Sequence, residues 1–356
     1  MMRLDKAGWP NGCADLGDEV GPWPIRGTGD LQHGLRYVKI STYIDVANRQ
    51  LIATLPAGGC PNDDSGEDEA EVVFSPNGTT LAVINGAICL WDVAARRQVA
   101  TLTDPGGDGA TSGTFSPDGQ TLAVTGSGEI TYLWNVASAR LAATLTEPPQ
   151  PDTTAEKVPA EDAVAFSPDG ATLAVGNTQG STYLWDLPTK RVIATLNDPQ
   201  AASLNGALVS GGAQSLAFSP DGRLAAGDAD GGVYLWDVAA RRVTASVYPP
   251  VGSFECNSSS QPGEEGMLAG PIGVSIAFSA DGARLVVSER CATVTSVWRA
   301  SGGSEYTRYA TLPSPVPHGD DIMLGPAVLS PDGRMVAAVA TNANSGDSDI
   351  YLWRIS

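Results

Sequence analysis

Histidine is almost missing from this chain: His33 and His318 are the only two. A metal site built on imidazoles, or a Ser–His hydrolase assembled from repeated residues, therefore has no material to draw on. Basic residues are also scarce, 21 Lys and Arg against 40 Asp and Glu, which leaves a formal net charge of −19. Such a surface repels nucleic acid and anionic membranes, so neither is an expected partner, and a basic protein or peptide is. No apolar run reaches the length of about 18 residues that a membrane-spanning helix needs. The first twenty residues, MMRLDKAGWPNGCADLGDEV, lack the apolar centre of a secretory leader, and a cytoplasmic location is the resulting expectation. Cysteine is sparse and odd in number, with Cys13, Cys60, Cys89, Cys256 and Cys291 showing no CxxC spacing. Free thiols in a reducing compartment are expected, pairing of Cys256 with Cys291 being the alternative in an oxidising one. No glycine-rich loop joins a strand to a helix, so no nucleotide, metal or other cofactor is implied.

What the chain has is repetition. YLWDLPTKRVIATL at Tyr183 returns as CLWDVAARRQVATL at Cys89, YLWNVASARLAATL at Tyr132 and YLWDVAARRVTASV at Tyr234, with a weaker copy, TYIDVANRQLIATL, at Thr42. Each full unit opens on FSPDG or a close variant, at Phe74, Phe115, Phe166, Phe218, Phe278 and, with Leu for Phe, at Leu329. The pieces between are short, apolar and β-branched or aromatic, which reads as strands. SPDG is a tight turn with a mechanism: Pro presets the first central position, Asp bonds its own backbone and Gly accepts a positive φ. The unit is thus a four-stranded antiparallel meander of roughly 40 residues, one propeller blade in length. Its third strand is apolar almost throughout, so both faces must be covered, and neighbouring blades supply that cover. Trp91, Trp134, Trp185, Trp236, Trp298 and Trp353 hold equivalent places and read as the filling between blades.

On these motifs the chain resembles the WD40 repeat family, in the bacterial form that carries FSPDG and YLWDV. Trp-Asp itself stands at Trp91-Asp92, Trp185-Asp186 and Trp236-Asp237. Asn135 replaces the Asp once, Arg299 and Arg354 follow the last two tryptophans, and Ile44 stands where a Trp would be. The Gly-His pair of many family members is absent from the repeats, which removes the family's buried His network and leaves packing to hold the blades. The resemblance covers residues 35 to 356 and implies an all-β fold, a single closed β-propeller.

The blade count is awkward. The chain offers six first strands, six second, seven third and six fourth, and it stops at IYLWRIS, straight after a third strand. An open sheet edge invites aggregation, so the missing strand is expected from residues 1–34 or just after them. In a six-bladed ring QLIATL would complete the last blade. In a seven-bladed ring LRYVKISTYIDVANRQLIATL is most of a degenerate first blade, and this reading is preferred because TYIDVANRQLIATL keeps strand, turn and strand in register.

Antiparallel order sends the first-to-second and third-to-fourth connections to one end of each blade and everything else to the other. The long insertions all belong to that other end and carry nearly the whole of the net charge of −19. The acidic candidates for partner contact are Asp63, Asp64, Glu67, Asp68, Glu69, Glu147, Glu156, Glu161, Asp162, Glu264, Glu265, Asp320 and Asp321. Loops that vary on a rigid frame are where function is carried. GDADGG at Gly227 starts like a calcium loop but lacks the later Glu, and reads as an ordinary turn. Asp118, Asp169 and Asp221 are explained by turn chemistry, so no catalytic residue is assigned. The expectation is a non-catalytic platform binding a protein or peptide through its acidic face. A detached regulatory segment of a larger signalling protein, such as a kinase carrying this kind of array, is the alternative. A propeller enzyme or a small-ligand or cation binder ranks below both.

Overall fold

A computed structural model describes residues 23–25, 42–45, 50–54, 71–103, 105–107, 109–126, 130–148, 163–177, 180–197, 213–228, 231–248, 274–289, 294–301, 305–313, 322–330, 333–342 and 348–355. Among them there is no helix, only strands and turns. Contacts divide the chain into two compact units, 32–213 and 1–31 with 214–356.

The unit 32–213 holds three four-stranded antiparallel sheets. The first blade runs β4 (Glu71–Phe74), β5 (Thr80–Asn85), β6 (Ala87–Asp92) and β7 (Arg97–Leu102). The second runs β8 (Ala110–Phe115), β9 (Thr121–Gly126), β10 (Ile130–Asn135) and β11 (Arg140–Thr146), and the third β12 (Val164–Phe166), β13 (Thr172–Gly176), β14 (Ser181–Asp186) and β15 (Arg191–Asn197). A separate two-stranded sheet pairs β2 (Thr42–Asp45) with β3 (Gln50–Thr54).

The other unit repeats the pattern. Its fourth blade is β16 (Ala213–Phe218), β17 (Leu224–Asp228), β18 (Val233–Asp237) and β19 (Arg242–Val247), and its fifth is β20 (Val274–Phe278), β21 (Arg284–Glu289), β22 (Val294–Ala300) and β23 (Tyr306–Pro313). The sixth combines β24 (Ile322–Leu329), β25 (Met335–Asn342) and β26 (Ser348–Arg354) with β1 (Trp23–Ile25), which pairs antiparallel to β26 with Trp23 opposite Leu352 and Ile25 opposite Ile350.

Six four-stranded blades, not seven, are therefore present among the described residues, and the seven-bladed reading is corrected. Among its described residues, the stretch that suggested a seventh contributes the β2–β3 pair. It does carry the irregularity seen in the full blades, a register shift at Tyr43/Ile44 matching those at Leu90/Trp91, Leu133/Trp134, Leu184/Trp185, Leu235/Trp236 and Val297/Trp298. Local pattern there is blade-like, but no FSPDG turn precedes it to make an inner pair. The six-blade alternative is also adjusted in one respect, because the strand beside β26 is Trp23–Ile25 and not QLIATL.

Why the third strands read as unbroken apolar runs is visible in the packing. Side chains alternate across a strand, and here both faces are buried. In the second blade Phe115, Leu122, Val124, Tyr132 and Trp134 pack with Ala82, Ile84, Ile88, Leu90 and Leu102 of the first. Its other face, Ala123, Leu133 and Leu145, meets Val164, Phe166, Leu173, Val175, Tyr183 and Trp185 of the third. The second unit does the same: Val286, Val297 and Leu312 of the fifth blade enclose Trp353 of the sixth. Outer strands alternate instead, as β7 does, with one side wet.

The inner edge is managed by polar contacts between blades. Gly113 N–H of the second blade donates to Glu71 Oε2 of the first at 2.8 Å. At the equivalent place Ile276 N–H of the fifth donates to Ser215 Oγ of the fourth at 3.2 Å. A side chain of one innermost strand thus satisfies a backbone donor of the next, which would otherwise count as an unpaired edge group.

The tryptophan donors differ. Trp298, half-buried, gives its indole N–H to Ser296 Oγ at 3.0 Å. The other blades carry Tyr or Cys two residues before Trp, and the buried indole N–H groups of Trp134 and Trp185 meet no acceptor among the described residues. A buried donor left unpaired costs about 1–3 kcal/mol. Trp185→Ala is expected to lose about 3–5 kcal/mol in urea unfolding followed by circular dichroism. Trp185→Phe is expected to lose clearly less, since it removes the orphaned donor together with part of the ring. Equal losses for both would show that the donor is satisfied.

Cys89, fully buried in β6 beside Leu81 and Trp91, is disulfide-bonded. That corrects the reading of every cysteine as a free thiol. A cross-link of this kind contributes about 2–4 kcal/mol, so a thiol reductant is expected to lower the unfolding midpoint of the native chain and to leave Cys89→Ser unmoved. An identical response of the two proteins would overturn the bond.

Candidate functional site

Each blade has two ends with different chemistry. At one end lie the first-to-second and third-to-fourth turns, and both are self-contained. In the second blade Ser116 Oγ donates to Asp118 Oδ1 at 2.6 Å, Gln120 N–H donates to the same oxygen at 3.0 Å, and Thr121 N–H donates to Ser116 Oγ at 2.9 Å. Gly119 N–H closes the turn on Ser116 O at 2.8 Å with φ at 69°, a conformation that favours glycine. The third and fifth blades repeat this with Ser167–Asp169 and Ser279–Asp281, each 2.6 Å. The first uses Asn77, whose Oδ1 accepts from Ser75 Oγ at 2.8 Å.

The Asp of Trp-Asp does similar work in the second turn. Asp92 accepts from Ala95 N–H at 2.8 Å, Asp186 from Thr189 N–H at 2.9 Å and Asp237 from Ala240 N–H at 2.9 Å. Asn135 serves equally because only an acceptor oxygen is needed, and it accepts from Ser138 N–H at 2.9 Å. Arg96, Ala139, Lys190 and Arg241 complete these turns at φ of 52–56° without being glycine. No sequence signal marked those positions. The fifth blade has Arg299 in place of the acid, and its turn closes by Ser301 N–H on Glu305 O at 3.0 Å.

These bonds set the acidity of the carboxyls. The Ser116 hydroxyl, then the Gln120 N–H, holds Asp118 below the usual carboxylate value. Ser167 and Ala171 do so for Asp169, the Thr189 hydroxyl and N–H for Asp186, and Ser279, Ala283 and then Arg284 for Asp281. Carboxylates lowered in this way stay ionised at neutral pH and make poor general acids or bases. Because the folded value lies below the unfolded one, their contribution is complete above pH about 4 and is lost as pH falls through the depressed values. A triple variant, Asp118→Asn, Asp169→Asn and Asp281→Asn, copies the Asn77 turn. Its melting temperature is expected to fall less than that of the native chain on acidification from pH about 5 to about 2.5. Parallel falls would remove the turns as a source of acid sensitivity.

The opposite end carries the remaining connections, and its described part is also inward-looking. Asn177 Oδ1 accepts from Ser181 N–H at 3.0 Å. Asp228, 3% exposed, accepts from Gly232 N–H at 2.7 Å, so this carboxylate is turned onto its own backbone. Among the described residues no group of His, Cys, Asp and Glu could hold a metal ion. Of the acidic partner candidates only Glu147 is described. It is 9% exposed and its Oε2 accepts from Asn177 Nδ2 at 3.4 Å. Asp63, Asp64, Glu67, Asp68, Glu69, Glu156, Glu161, Asp162, Glu264, Glu265, Asp320 and Asp321 lie outside the described residues. Trp91, Trp134, Trp185, Trp236 and Trp353 are buried, and Trp298 half-buried.

Among the described residues the fold is all-β, with six four-stranded antiparallel sheets of the propeller-blade type. A chain in the crystal structure of the mitotic checkpoint complex is similar at a TM-score of 0.60 and 16% identity, covering 88% of this chain and 80% of that one; this likeness concerns the fold alone. The family profile "WD domain, G-beta repeat" (WD40) matches residues 162–186 and 200–237. The small ribosomal subunit protein RACK1y of Oryza sativa subsp. japonica is 31% identical over 144 residues, 40% of this chain and 36% of the rice protein's length. These matches support the WD40 repeat family for this chain.

Proposed function

We propose that the chain is a non-catalytic platform that binds a protein or peptide of basic character through its long acidic insertions. The observation that carries this reading is the placement of charge along the sequence. The insertions between blades hold nearly the whole of the net charge of −19, while the short turns balance acid with Arg and Lys. A field of one sign on variable loops steers a cationic partner and speeds its encounter. Asp118, Asp169 and Asp186, tied up in their own turns and lowered in pKa, are poorly suited to acid–base catalysis. The rice relative is named as a ribosomal subunit protein, a component of an assembly, which agrees with a binding role. We read the repeats as the bacterial FSPDG and YLWDV form, on the recurrence of those motifs.

The test is affinity capture with the full chain at low salt and at about 0.5 M salt, where the screening length falls to about 4 Å. Basic proteins are expected at low salt and absent at high salt. Replacing Asp63, Asp64, Glu67, Asp68 and Glu69 by Ser is expected to reduce their recovery. Partners insensitive to salt, or recovered equally by the Ser variant, would defeat the proposal.

A further inference from the structure

A group of arginines at the short-turn end of the fifth and sixth blades runs against the acidic character of the chain. Tyr309, 36% exposed, sits where β23 bulges out of register with β22. Two guanidinium groups lie over its ring, Arg299 at 4.3 Å and Arg284 at 5.5 Å from the centroid. Arg284 and Arg299 are register partners on β21 and β22, so the backbone itself brings the two cations together. Arg284 Nη1 also donates to Gly333 O, which joins the group to the turn of the sixth blade. There Arg334 O accepts from Ile355 N–H at 2.7 Å, which brings the backbone of Arg334 next to that of Arg354, and both residues are exposed. Exposed Arg308 adds a fifth.

Turn geometry does not require this charge. Arg299 and Arg354 stand where the first, third and fourth blades carry a turn-bonding Asp and the second an Asn. The described acids of this end are Asp281, bonded to Ser279 Oγ and Ala283 N–H, and Glu305; the sequence adds Asp332, outside the described residues. Five arginines therefore outnumber three acids.

We propose that this end of the fifth and sixth blades is a second interaction surface, which takes an acidic peptide segment by pairing its carboxylates with Arg299 and Arg354, Tyr309 being the platform on which the Arg299 guanidinium is stacked. Stacking a guanidinium on a ring occupies its face and leaves its N–H edge for bidentate carboxylate bonds. The cations are spread over two blades and do not converge on one point, which suits several carboxylates along an extended segment better than a compact dianion. Nucleic acid, a dense polyanion, is disfavoured by the net charge of −19.

The experiment is fluorescence anisotropy of the full chain with a labelled peptide, Gly-Glu-Asp-Glu-Trp-Asp-Glu-Glu, at about 50 mM salt and again at about 500 mM. Saturable binding that weakens with salt is expected. The double variant Arg299→Asp and Arg354→Asp installs the residue that other blades tolerate, and is expected to bind at least about tenfold more weakly. Tyr309→Leu is expected to weaken binding to a smaller extent, and Arg191→Asp in the third blade to change nothing. Circular dichroism confirms that each variant is folded. No saturable binding by the native chain, equal binding by the double variant, or displacement of the peptide by an equal concentration of pyrophosphate or a short DNA strand would overturn the proposal.

Discussion

Two-sided burial of each sheet is the constraint from which the rest follows. A four-stranded antiparallel sheet with one wet face would alternate polar and apolar residues. The middle strands here are buried on both faces, as in β10, where Tyr132 and Trp134 face one neighbour and Leu133 the other. No blade can satisfy that pattern alone. Within each compact unit, adjoining blades are therefore energetic necessities to one another, and the aromatic of one sheet is the ceiling of the next. The polar bridges from Glu71 to Gly113 and from Ser215 to Ile276 fit the same scheme, for they tie innermost strands whose backbone edges the packing leaves open.

Once packing between blades carries the fold, the turns need only redirect the chain, and they do it with local bonds. This explains why the Asp of SPDG and the Asp of Trp-Asp can each be exchanged for Asn, at Asn77 and Asn135, with the acceptor oxygen retained. It also explains how Arg299 is tolerated: a different turn, closed by Ser301 on Glu305, removes the need for an acceptor. Freed from that task, the position becomes available for charge of the other sign.

Much of this was legible in the sequence because each blade is a local object. Recurrent FSPDG and YLWDV marked the turns, the strand order and the buried tryptophan positions without any long-range information. What was not legible depends on distant pairing. Trp23–Ile25 is three residues in a stretch with no repeat signature, and only its bonds to β26 make it a strand. The β2–β3 pair misled for the opposite reason, since its register shift at Tyr43/Ile44 is that of a genuine blade half. Arg299 and Arg354 were visible as departures from the motif. The two cations over the ring of Tyr309 were not, because that ring sits at a bulge.

Cys89 joins the packing argument to a covalent one. Its side chain occupies the third-strand place that Tyr132, Tyr183 and Tyr234 fill in other blades, so a small residue stands where the fold elsewhere uses a large one. Smaller volume at a buried site is a loss unless something else offsets it, and a disulfide at Cys89 offsets it by limiting the unfolded ensemble. The bond at Cys89 is therefore a feature that the free-thiol expectation did not contain, and it adds a covalent constraint to a blade otherwise held by packing.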